Sequence, residues 1–297
     1  MSTHPADDAR LDARTELSEF LHTRRARLQP DDVGVQSYGR RRRVPGLRRE
    51  ELAQLAGVSV AYYTRLEQGN ANNVSAEVLE AIARALRLTE SERAHLFHLA
   101  KPQSLSRRRT APRAQHVRPA LVQMLDALDT VPAYVWGRRT DVLAWNSAAA
   151  AVFGSRIVRP ASERNWARIV FLDPDARDFF LDWDLKASDV VGQLRLDAGM
   201  HGDDPLLASL IGELSLRSPD FRRLWAAHDV KGQSHGTLRI RHPLAGDLPL
   251  RYETLTLPDD QEQALTIYHA EPGPDLESLR AVIDRPVGAP AEEAPTA

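Results

Sequence analysis

Cysteine is absent from the 297 residues, and lysine is scarce, with three lysines against 36 arginines. Without cysteine the chain has no disulfide and no thiolate metal ligand. No apolar run approaches the roughly 18 residues that a membrane-spanning helix needs. The N-terminal segment MSTHPADDAR also lacks the basic and then apolar order of a signal peptide. We therefore expect a cytoplasmic protein with no membrane partner.

The net charge of −2, with 42% hydrophobic and 27% charged residues, indicates a globular chain rather than a polycation or an acidic solvating polymer. Its length suits two domains better than one core. Positive charge is nevertheless concentrated, because residues 40–49 hold six arginines and residues 101–118 hold five arginines and one lysine, with no acid in either stretch. Such stretches favour a polyanionic partner, and a solvated face or a linker is the alternative.

Periodicity and helix breakers predict five short helices near the start of the chain. They cover residues 12–28, 48–56 and 60–68, then a fourth that begins at Ser75 and a fifth that runs from Thr89 or Ser91 to near Ala100. Gly57 suits the sharp turn before the third helix because glycine takes positive φ without steric cost. Ser59 is a suitable N-cap for that helix, and a helix N-terminus also suits a phosphate group.

The third helix has a pattern typical of a helix that enters the major groove of DNA. If Tyr63 and Leu66 face inward, the helical step of about 100° per residue places Ala61, Arg65 and Gln68 on the opposite side. An arginine at that place can bind a guanine bidentately, which is the commonest specific major-groove contact. Geometry alone leaves an ordinary helical hairpin with a basic face as the alternative.

The segment EELAQLAGVSVAYYTRLEQGN, with its GVS..YY..LE.G spacing, resembles the xenobiotic-response-element type of helix-turn-helix found in phage-like repressors. The resemblance implies a five-helix domain that binds double-stranded operator DNA, usually as a homodimer on a palindrome. The DNA contacts that it implies are Ser59, Val60, Ala61, Tyr62, Arg65 and Asn70, with Arg48 and Arg49 nearby. The basic segment between the first two helices contains Arg41, Arg42 and Arg43, and we interpret it as a phosphate-contacting or minor-groove arm, with a solvated loop as the alternative.

The second half of the chain has mixed patterns. AYVWGRRTDVLAWN predicts two short strands with a turn near residues 139–141, and Asn146 is a candidate cap for a helix over 147–153. Helical segments follow, and then GTLRIRHPL, LPLRYETLTL and ALTIYHAE alternate apolar and polar residues as half-buried antiparallel strands do. PDD at 258–260 fits a turn between the last two. This order predicts an α+β domain with one helical layer over a sheet.

Several phrases of this half occur in the order AWNSAAAAVFG, FLDPDAR, DPLLASLIGELSLRSPDFRRLWAAHDV, RHPLAG, YETLTLPDD and YHAEPG. Together they resemble the ligand-binding domain of regulators related to the methylenomycin regulator MmyB. In that family the domain follows a repressor-type head with an arginine-rich RRRRVPGLRREELA segment, as it does here, and the resemblance covers residues 12–272. It implies a PAS-like sensor whose apolar pocket takes a fatty-acyl or similar amphipathic ligand.

The predicted fold class is therefore multidomain: an all-α, five-helix, repressor-like helix-turn-helix domain and an α+β, PAS-like sensor domain. The predicted divisions are a disordered N-terminus at 1–9, the DNA-binding domain at 10–101, a basic linker at 102–118, the ligand-binding domain at 119–272 and a mostly disordered tail at 273–297.

A sensor pocket requires apolar and aromatic walls with a few placed polar groups. The candidate aromatic residues are Trp136, Trp145, Phe153, Trp166, Phe171, Phe179 and Trp183, and the alternative is that each simply fills the core. The candidate anchors for a ligand carboxylate are Asn146, Arg177, His228 and Tyr252, which the sequence does not rank.

The leading hypothesis is a ligand-responsive transcriptional regulator that is not an enzyme and has no cofactor other than a bound fatty acid or similar lipid-like ligand. One alternative is a DNA-binding protein whose C-terminal domain only dimerises or recruits another protein. A small hydrolase is the remote alternative, because no serine stands in a nucleophile-elbow context and no glycine-rich phosphate loop follows a strand. His95 and His98 have a metal-ligand spacing but no third ligand nearby in the sequence, so we expect no metal site.

Overall fold

A computed structural model describes residues 13–34, 46–71, 74–100, 115–230, 232 and 234–285. The arginines predicted to form an arm, Arg41, Arg42 and Arg43, lie outside the described residues, as does most of the predicted linker. Contacts divide the chain into two compact units: unit 1 contains Met1–Pro112, Val191–Glu213 and Arg222–Gly232, and unit 2 contains Arg113–Val190, Leu214–Phe221 and Gln233–Ala297. Within the described ranges, no helix has both the length and the apolar character needed to cross a membrane.

The N-terminal part of unit 1 is helical. Its α-helices are α1 (Ala13–Arg27), α2 (Arg49–Leu55), α3 (Val60–Glu67), α4 (Ala76–Ala85) and α5 (Glu90–Ala100), with a short 3-10 helix at Pro30–Val33. The predicted caps are confirmed, because the Ser59 hydroxyl accepts a hydrogen bond from the Tyr62 N–H at 3.1 Å and the Ser75 hydroxyl accepts one from the Val78 N–H at 3.3 Å. Gly57, in the turn before α3, has a φ of +67°, which confirms its predicted role.

The core of unit 1 forms around α1. Leu17, Phe20 and Leu21 of α1 are buried with side chains from each of the other four helices and with Val230. The buried partners on α2 to α5 are Leu52, Ala53, Tyr63, Leu66, Leu79, Ile82, Ala83, Leu96, Leu99 and Ala100. Unit 1 also contains segments 191–213 and 222–232, and Val230 of the second segment belongs to this core.

The remaining helices of the described chain follow residue 118. They are α6 (Pro119–Ala127), α7 (Ser147–Phe153), α8 (Trp166–Leu172), α9 (Ala176–Phe179), α10 (Trp183–Met200), α11 (Pro205–Arg217), α12 (Pro219–Ala226) and α13 (Pro274–Ile283). Helices α10, α11 and α12 each contribute residues to both units. Asn146 caps α7 as predicted, because its side-chain oxygen accepts from the Ala149 N–H at 2.9 Å.

Unit 2 contains a five-stranded antiparallel sheet with the order β2-β1-β5-β4-β3. Its strands are β1 (Ala133–Trp136), β2 (Val142–Trp145), β3 (His235–His242), β4 (Gly246–Leu257) and β5 (Asp260–His269). The predicted turn between β1 and β2 is confirmed and contains Arg139 and Thr140 at positive φ, 61° and 63°. With its helices, the sheet gives the α+β class expected for this half of the chain.

The predicted tail at 273–297 needs correction, because residues 274–283 form helix α13. Pro274 occupies the first turn, where a missing N–H costs nothing. Leu279 and Val282 are buried, and the helix packs against α7 and β4. The prediction weighed the proline-rich and acidic composition of the whole tail and overlooked the apolar spacing in PDLESLRAVI.

Candidate functional site

Helix α3 presents one exposed face and one buried face, as its periodicity predicts. The side chains of Tyr63 and Leu66 are 0% and 1% exposed. The exposed residues on and around the other face are Ser59, Val60, Ala61, Arg65, Gln68 and Asn70. Tyr62 is half-buried, and the guanidinium carbon of Arg65 lies 6.0 Å from the centre of its ring. Six residues predicted to contact DNA are therefore positioned together on α3 and its flanks, with Arg65 free to extend outward.

The buried end of α3 is fixed by an ion pair that sequence reasoning missed. The Glu67 side chain is 1% exposed and accepts from Arg25 of α1, at 3.1 Å from Nε and 2.6 Å from Nη2. Arg25 Nη1 also donates to the Leu47 carbonyl at 2.6 Å. This arrangement connects α1, the segment before α2 and the C-terminal end of α3. The available signal was an acidic residue directly beside Leu66, on the inward face of a helix, where an unpaired charge is rarely buried.

The predicted contacts near α2 have different environments. Arg49 is exposed, but its Nε donates to Glu67 Oε2 at 2.8 Å, and this hydrogen bond raises the pKa of Arg49. Arg48 is half-buried at the N-terminus of α2, where its backbone N–H donates to Glu51 Oε2 at 2.8 Å. Arg49 is therefore a surface residue of unit 1 whose guanidinium is hydrogen-bonded to a buried carboxylate.

Another charged cluster lies on α1 in unit 1, where it meets residues 195 and 225–229. Arg195 Nη1 lies 2.5 Å from Glu16 Oε2 and 2.9 Å from His228 Nδ1. Because an arginine only donates, His228 Nδ1 is the acceptor, and its Nε2 carries the proton directed at Glu19 Oε2, 2.7 Å away. Burial alone would raise the pKa of Glu16, but the adjacent His228 and Arg195 outweigh it and lower that pKa.

The same helix makes further contacts with this segment. Arg24 Nη2 donates to the His228 carbonyl at 2.5 Å, and its Nε lies 2.8 Å from Glu92 Oε1. Arg27 pairs with Asp229. Burial lowers the pKa of Arg24 to about 10, while the charge of Glu92 opposes that change. Helix α1 is thus bound by ionic contacts to residues 195 and 227–229 and, through Arg25, to α3.

Six aromatic rings pack together in unit 2, and we refer to them as the aromatic cluster: Tyr134, Phe153, Trp166, Phe179, Phe180 and Tyr268. Phe153 lies near the middle, with its ring centre 5.4 Å from Trp166 and 5.2 Å from Tyr268. Three of the predicted ligand-binding aromatics, Phe153, Trp166 and Phe179, therefore belong to one apolar group. Edge-to-face contacts of this kind are favourable beyond the area that they bury.

The sheet adds hydroxyl groups to this apolar surface. Strand register places Tyr134 opposite Thr266 and Tyr252 opposite Tyr268, on one face. The Tyr134 and Tyr268 hydroxyls are 3.0 Å apart, and so are those of Thr254 and Thr266. These are the few placed polar groups within an apolar environment that a small-molecule site requires.

The other predicted aromatics lie elsewhere in unit 2. Phe171 packs against Trp183 and Phe221, with ring centres 5.7 and 5.2 Å away. Trp136 is half-buried, and its Nε1 donates to the Thr266 hydroxyl at 3.0 Å, so it borders the hydroxyl-bearing face of the sheet. Trp145 is covered by the guanidinium of Arg164, 4.7 Å from the ring centre.

Two of the predicted anchors are occupied by protein groups. The Asn146 oxygen accepts from the Ala133 and Ala149 N–H groups, and its nitrogen donates to the Leu128 and Val131 carbonyls, at 2.6–3.1 Å. All four hydrogen-bonding positions of that amide are used. Arg177 is exposed, pairs with Asp220 at 2.6 Å and lies over the ring of Trp183.

The other two predicted anchors lie in different units. His228 belongs to unit 1, where it borders a polar pocket of about 300 Å³ that α1 also lines. Tyr252 lies in unit 2 and is half-buried, with its ring centre 5.9 Å from Tyr268. Burial, followed by the charge of Asp189, raises the pKa of Tyr252 to about 12, so it is a neutral hydrogen-bonding group at physiological pH.

Lys186 of α10 is a further polar group at the aromatic cluster that sequence reasoning overlooked. Its Nζ lies 4.8 Å from the centre of the Trp166 ring. Burial lowers the pKa of Lys186 to about 8, and the charge of Asp189 opposes that change. The available signal was a rare lysine directly before Ala187 on the buried side of α10.

His95, one of the two histidines with metal-ligand spacing, is buried against Phe20. His95 is 1% exposed and stands edge-on to Phe20, with ring centres 5.1 Å apart. A Cβ on Gly199 would come within 2.6 Å of His95 Nδ1, so only a glycine fits beside that ring. Burial, with the charge of Arg195, lowers the pKa of His95 to about 3. Across the described part of the chain, no group of three or more His, Asp or Glu side chains has a metal-binding arrangement.

Comparison with known families finds a different family for each half of the chain. Residues 117–281 match the MmyB-like transcription regulator ligand binding domain, which is more than half of the chain. Residues 16–96 match a helix-turn-helix domain. Both expected resemblances are thereby confirmed, and neither matched family is described as an enzyme. No match to the chain was found among the curated proteins.

Proposed function

The chain belongs to the family of MmyB-like transcription regulators, and from this premise we propose that it binds operator DNA through α3 and responds to an amphipathic carboxylate. It combines a helix-turn-helix domain with a ligand-binding domain, which is the composition of a ligand-regulated transcription regulator. The finer parts of the proposal are the operator contacts, the fatty-acyl class of the ligand, the PAS-like character of its domain and a homodimeric state.

The exposed face of α3 supports the DNA-binding part of the proposal. Small side chains at the start of that helix, Ser59 and Ala61, allow its backbone to approach base edges closely. Arg65 then reaches a guanine, and the N–H groups at the helix N-terminus receive a phosphate. The buried pair of Arg25 and Glu67 holds the far end of α3, so the helix is rigid when it enters the groove.

The operator contact is tested by replacing Arg65 with alanine. We expect Arg65→Ala to weaken binding to the selected operator by about 1–3 kcal/mol and to relax base preference at one position. Operator sites are first selected from random duplexes, and affinity is then measured by fluorescence anisotropy at fixed salt. Arg84→Ala, which removes an exposed arginine of α4, is the matched control and should leave affinity unchanged. If Arg65→Ala selects the same operator with the same affinity, α3 is not the reading helix.

The aromatic cluster and the adjacent hydroxyl groups support the ligand part of the proposal. Six rings offer apolar surface to an acyl chain, and Tyr252 offers a neutral hydroxyl for its polar end. A ligand can shift DNA affinity only by the difference in its affinity for two states of the protein. Anisotropy titrations with and without saturating dodecanoate measure this coupling, and an unchanged operator affinity would contradict sensing of that ligand class.

The homodimer is tested on the purified chain by size-exclusion chromatography with light scattering. A dimeric mass, together with a palindromic selected operator, agrees with two helices α3 reading two half-sites about one DNA turn apart. A monomeric mass on a single half-site would contradict the dimer.

A further inference from the structure

Two cations of unit 2 lie over rings of the aromatic cluster. The Nζ atom of Lys186 is 4.8 Å from the ring centre of Trp166, and the guanidinium carbon of Arg156 is 3.7 Å from that of Phe179. We propose that Lys186 is the anchor that binds the carboxylate of the ligand, with the acyl chain against the aromatic cluster. This inference rests on the proposed function and names the group that fixes the orientation of the ligand.

Position favours Lys186 over Arg156. Trp166 contacts three rings of the cluster, those of Tyr134, Phe153 and Phe180, at 5.4, 5.4 and 6.3 Å. An ammonium on its face therefore lies over a ring that packs against three other members of the aromatic cluster. Phe179, beneath Arg156, contacts two, at 6.5 and 4.9 Å.

The electrostatic environments of the two cations also differ. Burial lowers the pKa of Arg156 as well, but two acids, Asp173 and Asp175, accompany that arginine and oppose the change. Lys186 has the single acid Asp189, and burial outweighs it, since the pKa of the lysine falls to about 8. A half-buried ammonium is stabilised by a partner that brings both charge and hydrogen-bond acceptors. A ligand carboxylate supplies both, and its binding raises the pKa of the lysine.

The surroundings of Lys186 select the charge of the ligand. One ammonium complements at most one negative charge, and the nearby Asp189 further disfavours the two charges of a phosphate ester. Lysine is a compact point charge rather than the planar fork that binds phosphate bidentately. The ligand class is therefore a free monocarboxylic acid with an apolar chain, rather than a phosphorylated or nucleotide-linked acyl group.

The experiment compares two probes of equal chain length, dodecanoate and 1-dodecanol, by titration calorimetry on the full chain at pH 7. We expect Lys186→Met to weaken dodecanoate binding by about 10- to 100-fold, the loss typical of one hydrogen bond to a charged group. Binding of 1-dodecanol should stay within about threefold of the wild type. Lys186→Arg keeps the charge and should restore most of the dodecanoate affinity, whereas Arg156→Met, the matched control, should change it little.

A pH profile provides a readout that a merely structural role would not change. The charged group that acts on the ammonium is Asp189, and Tyr252, on which Asp189 also acts, stays neutral over this range because burial raises its pKa to about 12. Dodecanoate binding to the wild type should therefore weaken above about pH 8, as Lys186 loses its proton. The profile of Lys186→Met should be flat over the same range. A flat wild-type profile would overturn the anchor even if the methionine variant fails to fold.

The remaining outcomes separate this inference from the proposed function. If neither probe binds the wild type, the amphipathic ligand class is wrong and the anchor with it. If dodecanoate binds and Lys186→Met binds it equally well, only the anchor is overturned. A loss confined to Arg156→Met would also overturn it and would assign the carboxylate to that arginine.

Discussion

The two units bury different kinds of polar group. In unit 1 the buried polar residues carry charge or border a charge, as with Arg24, Arg25, Glu67, Arg195 and His228. In the described part of unit 2, the buried polar residues are amides, hydroxyls and one histidine, whose pKa is lowered chiefly by burial: Thr140, Asn146, Asn165, Ser218, His242, Gln263 and Thr266. Unit 2 also contains ion pairs, such as that of Arg139 with Asp141, but the pair of Arg25 with Glu67 in unit 1 is more deeply buried.

The two kinds of buried polar group place different demands on the packing of each unit. A buried ion pair is a weak source of stability but a strict geometric requirement, because breaking it strands a charge. Unit 1 has such pairs where α1 meets α3 and where α1 meets residues 195 and 229, so the position of α3 against α1 is fixed. The interior of unit 2 instead contains the aromatic cluster, whose packing needs no counter-charge.

The largest effect is expected from breaking the pair in unit 1. Glu67→Gln keeps the shape of the side chain but leaves Arg25 buried without a counter-charge. We expect the free energy of unfolding of unit 1 to fall by about 3–5 kcal/mol. Hydrogen exchange of the α1 and α3 amides, measured across a urea series, follows this unit separately from unit 2.

Two further variants determine whether charge is the cause. Glu80→Gln removes a half-buried, solvent-accessible partner of Arg93 and should have a much smaller effect. The double variant Arg25→Met with Glu67→Met, which removes both charges, should recover much of the lost stability. If the double variant is no better than Glu67→Gln, packing rather than a stranded charge explains the loss.

A smaller effect is expected from the hydroxyl pair of unit 2. Tyr134→Phe leaves the Tyr268 hydroxyl buried without its 3.0 Å partner, which should cost about 1–3 kcal/mol. Removing both hydroxyls together should be nearly neutral, because no polar atom is then left unpaired. Hydrogen exchange of the β1 and β5 amides measures each variant and gives the coupling energy. A double variant that loses the sum of the two single losses would contradict this account.

What the sequence predicted was local. Ser59, Ser75 and Asn146 were identified as caps because a cap depends on one side chain and the backbone of the next turn. The facing of α3 follows from a period of 3.6 residues and needs no tertiary contact. The sheet strands alternate for the same reason, and their turns occur at residues that favour turns.

What the sequence could not predict depends on distant partners. Glu16 and Arg195 are 179 positions apart, and their pairing requires segment 191–213 to belong to the same unit as α1. His228 was interpreted as a ligand anchor. Its contacts with Arg195 and Glu19 could not be inferred, because no local pattern associates those residues with it. Lys186 was overlooked because a single lysine on a helix is usually solvated, and only the position of Trp166 gives it significance.

The smallest predicted effect uses pH to separate the units. His95 has a pKa of about 3 in the folded state, against 6.5 when unfolded, because burial disfavours its charged form. Below pH 6.5 the unfolded chain therefore binds a proton that the folded unit 1 does not bind. The stability that depends on neutral His95 is fully present above pH 6.5 and is lost as the pH decreases toward 3. Between pH 7 and 5 we expect a loss of about 1–2 kcal/mol in unit 1.

Hydrogen exchange of the α1 and α5 amides at these two pH values measures the loss. His95→Leu should remove this part of the pH dependence, and His22→Leu, which replaces an exposed histidine of α1, should retain it. An unchanged slope in His95→Leu would mean that another group carries the proton linkage. Glu16 is not that group in this range, because its lowered pKa keeps it ionised down to below pH 4.5. A slope that follows His95 would instead show that this acid sensitivity of unit 1 comes from one neutral ring buried near charged groups.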